Sequence, residues 1–158
     1  MPVETLELRK MTEEDFAQCL GPMIENYAQD IARNLKRPIN EVRIEAQEQL
    51  NRILPNGLST DGHLIFNVVE ATTGERIGHI WVSLEKEKNR AFLYDILIEI
   101  PFRGRGFGRR SLQLIETKLR ELGIRQLGLH VFGDNQTAIS LYKSQGYYTA
   151  GFNMQKEL

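Results

Sequence analysis

A change of period near residue 98 constrains this fold more than any other feature of the chain. Before it, residues 63–70, 76–84 and 90–98 are rich in β-branched and aromatic side chains, the composition of strands. Thr72-Thr73-Gly74 and Lys86-Glu87-Lys88-Asn89 supply turns between them, so the three runs predict an antiparallel meander. After it, Leu112, Ile115, Leu119 and Leu122 recur at helical spacing and Gly123 follows, which predicts an amphipathic helix over about residues 106–122. The joint between the two regimes is the run ILIEIPFRGRGFGRRSL, a strand passing through a glycine-arginine turn into a helix.

The flanking segments complete the order. Residues 4–9 alternate as a strand. Thr12 followed by Glu13, Glu14 and Asp15 marks a helix start, with Phe16, Leu20, Ile24, Tyr27 and Ile31 as its apolar stripe. Pro38 breaks that pattern, and Asn40 is placed to cap a second helix striped by Val42, Ala46, Leu50 and Ile53. Pro55-Asn56-Gly57 ends it, and a loop is expected over residues 58–61. Residues 124–132 read as a strand, residues 136–144 as a helix capped by Asp134 or Asn135, and residues 147–156 as a last strand or two short ones. The predicted order is β-α-α-β-β-β-α-β-α-β, an α/β (α+β) domain whose mixed, mainly antiparallel sheet is flanked by helices. A single domain over residues 1–158 is expected.

Composition sets limits on partners. A net charge of −1 over 158 residues gives no global field for nucleic acid or an anionic membrane. No signal segment and no apolar run long enough to span a bilayer is apparent. The single Cys19 has no disulfide or metal-ligand partner at useful spacing and reads as a half-buried helix residue. We therefore expect a cytoplasmic protein without a metal, and a homodimer is left open.

The turn is where chemistry first becomes legible. A helix N-terminus leaves backbone N–H groups unpaired and carries partial positive charge. Glycines let a diphosphate approach those groups, and Arg103, Arg105, Arg109 and Arg110 add formal charge. A Gly-Lys-Ser or Gly-Lys-Thr ending is missing, which argues against a nucleoside-triphosphate loop. A dinucleotide fingerprint counted from Gly104 would need glycine where Arg109 stands.

The pattern that is present, Arg103, Gly106 and Gly108 after a strand and opening a helix, resembles the acetyl-CoA signature of the GNAT superfamily of N-acetyltransferases. The segment LHVFGDNQTAISLYKSQGY resembles the second half of that signature, with Asn135, Ala138, Leu141, Tyr142 and Gly146 in the matching places. Together the two cover about residues 62–156. The resemblance implies acetyl-CoA as cosubstrate and an amine as acceptor. It places the pyrophosphate on the main chain of Gly104, Arg105, Gly106, Phe107, Gly108 and Arg109, with Arg103 beside it. It places the pantetheine arm along the exposed backbone of Ile96, Leu97 and Ile98. Asn135, Ala138 and Tyr142 share one helical face, offering an amide, a gap for a slender arm, and a phenol at the thiol end.

In the implied reaction an amine attacks a thioester. At pH 7 an alkyl ammonium of pKa ~10.4 lies about 4.6 kcal/mol from its reactive form, an α-amine of pKa ~8 only about 1.4 kcal/mol. A base is therefore useful. Tyr142 is the candidate acid for the leaving thiolate, and a strand-bulge N–H near Leu97 is a candidate oxyanion donor. Similar ribosomal-protein N-terminal acetyltransferases carry a glutamate where His130 stands. His130 suits the base role, with a hydrogen-bonded core histidine as the rival reading. Asp95 and Glu99 are alternative carboxylate bases, for which structural roles are expected. His63 and His79 show no partnering spacing and read as structural or exposed, and Trp81 reads as core, with a place lining the acceptor cleft as the alternative. Glu25, Asp30, Glu45 and Glu48, with Tyr27 among them, offer either an attraction for cationic amines or a solvated helix face. Two rival functions stay open: a non-catalytic acyl-CoA-binding or regulatory module, and an unrelated nucleotide-binding protein.

Overall fold

The structure, a computed structural model, describes residues 5–158. Among the described residues, five strands form one sheet in the order β1-β2-β3-β4-β5. They are β1 (Leu6–Lys10), β2 (His63–Glu70), β3 (Arg76–Glu85), β4 (Arg90–Ile98) and β5 (Gln126–Leu129), and the four α-helices are α1 (Glu13–Leu35), α2 (Ile39–Ile53), α3 (Phe107–Glu121) and α4 (Gln136–Ser144). Strands β1 to β4 pair antiparallel, and β5 joins β4 in parallel. The meander and the mixed sheet follow the alternation in the sequence. Glu4, with which the sequence reading begins β1, lies outside the described residues.

Two compact units divide the chain: residues 5–16 with Asn56–His130, and Ala17–Pro55 with Val131–Leu158. The first unit holds the sheet and α3. Phe66, Val68, Ile80, Val82 and Leu93 alternate onto one buried sheet face through the pairs Phe66↔Ile80 and Val82↔Leu93. Helix α3 contacts β1 and β4, and its Phe107, Leu112, Ile115 and Leu119 are buried. Each such side chain contributes about 1.5–3 kcal/mol of hydrophobic stabilisation. Gly78 lets β3 and β4 come close, because a Cβ there would stand 1.9 Å from the Leu97 carbonyl oxygen.

In the second unit, α1 and α2 pack through Ala28, Val42 and Ala46, with Ile24, Ile31 and Ile39 around them. Arg43 pairs with Glu25 at 2.7 Å, and Arg37 grips both oxygens of Glu45 at 2.7 Å.

Four expectations need correction. Pro38, not Asn40, is the N-cap of α2; Asn40 lies inside the helix and its Oδ1 accepts from Arg43 at 3.2 Å. Proline there supplies no side-chain cap, but it has no N–H of its own to satisfy, holds extended backbone before the first turn, and its carbonyl accepts the Val42 amide at 3.2 Å. The loop expected over residues 58–61 begins in a short 3-10 turn, Gly57–Ser59. Strand β5 spans four residues rather than 124–132, since its ladder to β4 stops at Leu129. Residues 147–156 form no strand. Tyr148, Phe152 and Met154 are exposed there; alternation sorts side chains onto faces but supplies no neighbouring strand. Thr12 does cap α1, accepting from the Asp15 amide at 3.1 Å. No described helix is long and apolar enough to cross a membrane.

Candidate functional site

Strand β4 changes character halfway along. Its pairing with β3 runs Val82↔Leu93 and then Trp81↔Asp95, so Tyr94 is an extra residue, a β-bulge. Its ladder to β5 ends one residue earlier, at Leu93↔Leu129. From Tyr94 to Ile98, β4 therefore continues with β3 alone at its side among the described residues. Ile96, Leu97 and Ile98 lie on this stretch, with main-chain groups on the far side from β3 that no ladder uses. The bulge falls at Tyr94, three residues before the position the sequence suggested. Pleat and register decide where a bulge falls, and both depend on the partner strand.

The open stretch leads through Ile100–Phe102, a single 3-10 turn, into the glycine-arginine segment. Gly104 and Gly106 have φ of 75° and 80°, the left-handed region where a Cβ is strained. Gly106 is the N-cap of α3 and no side chain caps this helix. The first amides of α3, from Phe107 onward, thus have no side-chain acceptor and keep the partial positive charge of the helix start. Phe107 itself is buried, and its ring meets Phe102 edge-on at 6.4 Å. The Arg105 and Arg110 guanidinium carbons lie 4.9 and 5.6 Å from that ring's centroid, cation–π contacts that hold charge beside the turn. Arg103, expected as a charge beside the ligand, also makes a bond within the chain. Its Nε donates to the Ile98 carbonyl at 2.8 Å and ties the turn to the end of β4. Gly108 and Arg109 fall in the first turn of α3.

His130 follows β5 directly and is exposed. The core-histidine reading of it fails, because β5 ends at Leu129. In the second unit, the Asn135 side chain accepts from the Ala138 amide at 3.1 Å and caps α4. That bond takes its Oδ1 and leaves its amide N–H groups as donors. Asp134 is held by Arg33, and by Asn34 at 3.0 Å, which keeps its carboxyl below the usual range. Ala138 and Tyr142 are half-buried on α4, and the Tyr142 ring meets Tyr147 edge-on at 5.6 Å.

Sequence reasoning missed a polar network on the other face of the sheet. Arg76 donates from Nε to Asn67 at 2.9 Å, and from its terminal nitrogens to Glu99 at 2.8 Å and to Nδ1 of His79 at 3.0 Å. His79 Nε2 lies 2.6 Å from Asp95, and Asn67 donates to Asp15 at 2.7 Å. His79 is thus buried and partnered, the structural one of the two roles expected for it. The alternation of β2, β3 and β4 could have placed Asn67, His79 and Asp95 on one face, but only the register brings them side by side. Trp81, as expected, is core, and its indole N–H donates to His63 Nδ1 at 3.0 Å. Burial pushes His63 down from its ordinary value. Tyr94, the bulge residue, stacks on Trp81 at 4.5 Å.

The acidic helix residues do not form an open cluster. Arg43, with Gln29, holds the Glu25 carboxyl down to about 2. Glu45 is lowered by Arg37, and Asp30 pairs with Arg33 at 2.6 Å. Three of the four acids proposed to draw a cationic amine are engaged by arginine within their own unit, and Glu48 is exposed.

The sequence profile of the acetyltransferase (GNAT) family matches residues 27–147. An uncharacterized N-acetyltransferase of Bacillus subtilis, YdgE, is 31% identical over 153 residues, covering 96% of this chain and 97% of its own length. The crystal structure of a putative acetyltransferase from the same organism, YycN, superposes with a TM-score of 0.91 at 29% identity, covering 98% of this chain and 99% of that one. The PaiA N-acetyltransferase of Thermoplasma acidophilum, solved in complex with coenzyme A, shares the fold at a TM-score of 0.68 and 20% identity, over 94% and 93% of the two chains.

Proposed function

Because this chain belongs to the acetyltransferase (GNAT) family and is an acetyltransferase, we propose that it moves an acetyl group from acetyl-CoA to a primary amine of a small molecule or peptide, by direct attack in a ternary complex. The observation that carries this reading is the open length of β4 running into an uncapped helix start. Main-chain groups along residues 96–98 suit the amides of a pantetheine arm. The glycine turn and the first amides of α3 suit a diphosphate. Arg103 joins the two by its bond to Ile98. We take residues 1–158 as one acetyltransferase domain, since the family match draws on both compact units.

Acetyl-CoA supplies a carbonyl carbon already activated as a thioester. The protein has to hold it, hold a neutral amine beside it, and manage two protons. The main chain from Gly104 to Arg109 binds and orients, with Asn135 donating through its amide and Ala138 leaving room on α4. The Tyr94 bulge turns a β4 amide out of the regular ladder, and we assign an oxyanion-stabilising N–H to this bulge rather than to Leu97. Tyr142 gives the proton that the leaving thiolate needs. His130, exposed at the end of β5, is a base candidate open to solvent.

An acceptor panel tests the reading. Purified protein is offered acetyl-CoA with alkyl amines, polyamines, aminoglycosides and peptides, and free thiol is measured. Amine-dependent thiol release supports it. Tight acetyl-CoA binding without release from any amine would favour a non-catalytic acyl-CoA-binding module. Stabilisation by ATP or NAD and not by acetyl-CoA would contradict both.

A further inference from the structure

The network around Arg76 points to a second proton acceptor, one the sequence had set aside. We propose that Asp95 takes the proton of the ammonium acceptor and that His79 is the residue that positions it. This rests on the amine-acetylating reading above.

Hydrogen-bond direction fixes the roles. A guanidinium has donors only, so His79 Nδ1, 3.0 Å from Arg76, must accept. Its proton therefore sits on Nε2 and points to Asp95 Oδ2 at 2.6 Å. Both ring nitrogens are committed, and the ring is 2% exposed. A further proton on Nδ1 would set one N–H against another. Histidine, the usual base, here has Nδ1 engaged as acceptor and Nε2 as donor. Arg76 cannot turn away freely either, since Asn67 and Glu99 hold its other nitrogens.

What remains is the carboxylate. The Asp95 side chain is 32% exposed. Oδ2 receives the His79 bond, and Oδ1 accepts none among the described residues. Asp95 follows the Tyr94 bulge directly and lies on the open stretch of β4, beside Ile96. The charged or titratable groups facing it are His79 itself and, behind the imidazole, Arg76 paired with Glu99. A carboxylate oriented by a fixed imidazole N–H, with one oxygen open, is built to receive a proton.

The step balances. An N–H bond of the ammonium breaks, an O–H bond forms on Asp95, and the nitrogen keeps the electron pair with which it attacks the thioester. After turnover Asp95 returns its proton to water, which is the net proton of amide formation from an ammonium. The second amine proton balances the one delivered to the thiolate.

The experiment compares wild type, Asp95→Asn, His79→Ala and His79→Gln with an alkyl amine from pH 7 to 9, following kcat/KM, acetyl-CoA Kd and Tm. Asp95→Asn should lose about 100-fold or more at pH 7 with acetyl-CoA Kd unchanged. Without a base only the neutral amine reacts, so the deficit should shrink about tenfold per pH unit. His79→Ala should share the loss, and His79→Gln, which keeps an N–H donor, should recover most of it. A deficit constant with pH, or Asp95→Asn at wild-type rates, would overturn the proposal. If Asp95→Asn does not fold, Asp95→Ser takes its place under the same criteria. Wild type that binds acetyl-CoA and acetylates no amine would overturn the functional reading as well, a different result from a variant that matches an active wild type.

Discussion

Replacing Gly78 with alanine places a methyl carbon 1.9 Å from the Leu97 carbonyl oxygen and 2.9 Å from its carbon. Both are backbone atoms, so no side-chain rotation relieves the clash. The strands must part until that contact reaches at least 3.0 Å, a separation imposed where Gly78 pairs with Ile98 and where the Glu99 amide donates to Ile77 at 2.8 Å. Overpacking of this kind costs about 1–3 kcal/mol. For a chain of this size each kcal/mol lowers Tm by about 2–4 °C, so a fall of about 2–12 °C is expected by calorimetry. The same shift moves Leu97, on the stretch proposed to hold pantetheine. Acetyl-CoA Kd should therefore rise more in Gly78→Ala than in a variant equally destabilised elsewhere, such as Ala28→Gly in the α1–α2 core. An unchanged Tm would refute the close-approach argument. A lower Tm with unchanged acetyl-CoA affinity would separate β4 from the cofactor.

Three further outcomes can be checked independently. Tyr142→Phe should lower kcat by about 100-fold or more while leaving acetyl-CoA Kd nearly unchanged, as read by steady-state kinetics and titration; an unaltered kcat removes the acid role. Arg103→Ala loses the bond to the Ile98 carbonyl, about 0.5–1.5 kcal/mol, and should weaken acetyl-CoA by about 2- to 10-fold without a matching change in kcat. Glu25 has its folded pKa lowered to about 2 by Arg43 from an ordinary 4.5, so the unfolded chain binds its proton first. Its stabilising effect is present above about 4.5 and is lost as pH falls toward 2; Glu25→Gln should therefore show a smaller drop of Tm across that window than wild type.

Much of the fold was legible because local signals bracket it. Strands β2 and β4 and helix α4 begin and end where the turn residues predict, and of the two caps offered for α4, Asp134 and Asn135, it is Asn135 that caps it. The glycine turn was legible for the same reason, as an abrupt change of period with glycines at the joint. What escaped depends on a partner distant in sequence. The position of the bulge follows from how β3 registers against β4, and His79 looks isolated until that register sets it beside Asp95. The length of β5 and the lack of a last strand are likewise properties of ladders, which no single segment carries. Charges alone left two readings of Glu25, Asp30 and Glu45, an attraction for amines or a solvated helix face, because the arginines that engage them stand three to eighteen residues away.

The central claim is acetyl transfer to an amine, and product analysis tests it most directly. The protein is incubated with acetyl-CoA and the amine panel, thiol release is followed, and the amine product is identified by mass spectrometry. The account predicts an N-acetylated primary amine formed in equal amount to free CoA, with release dependent on both substrates. Thiol release that does not depend on an amine, or acetyl-CoA bound and left intact with every acceptor, would contradict it.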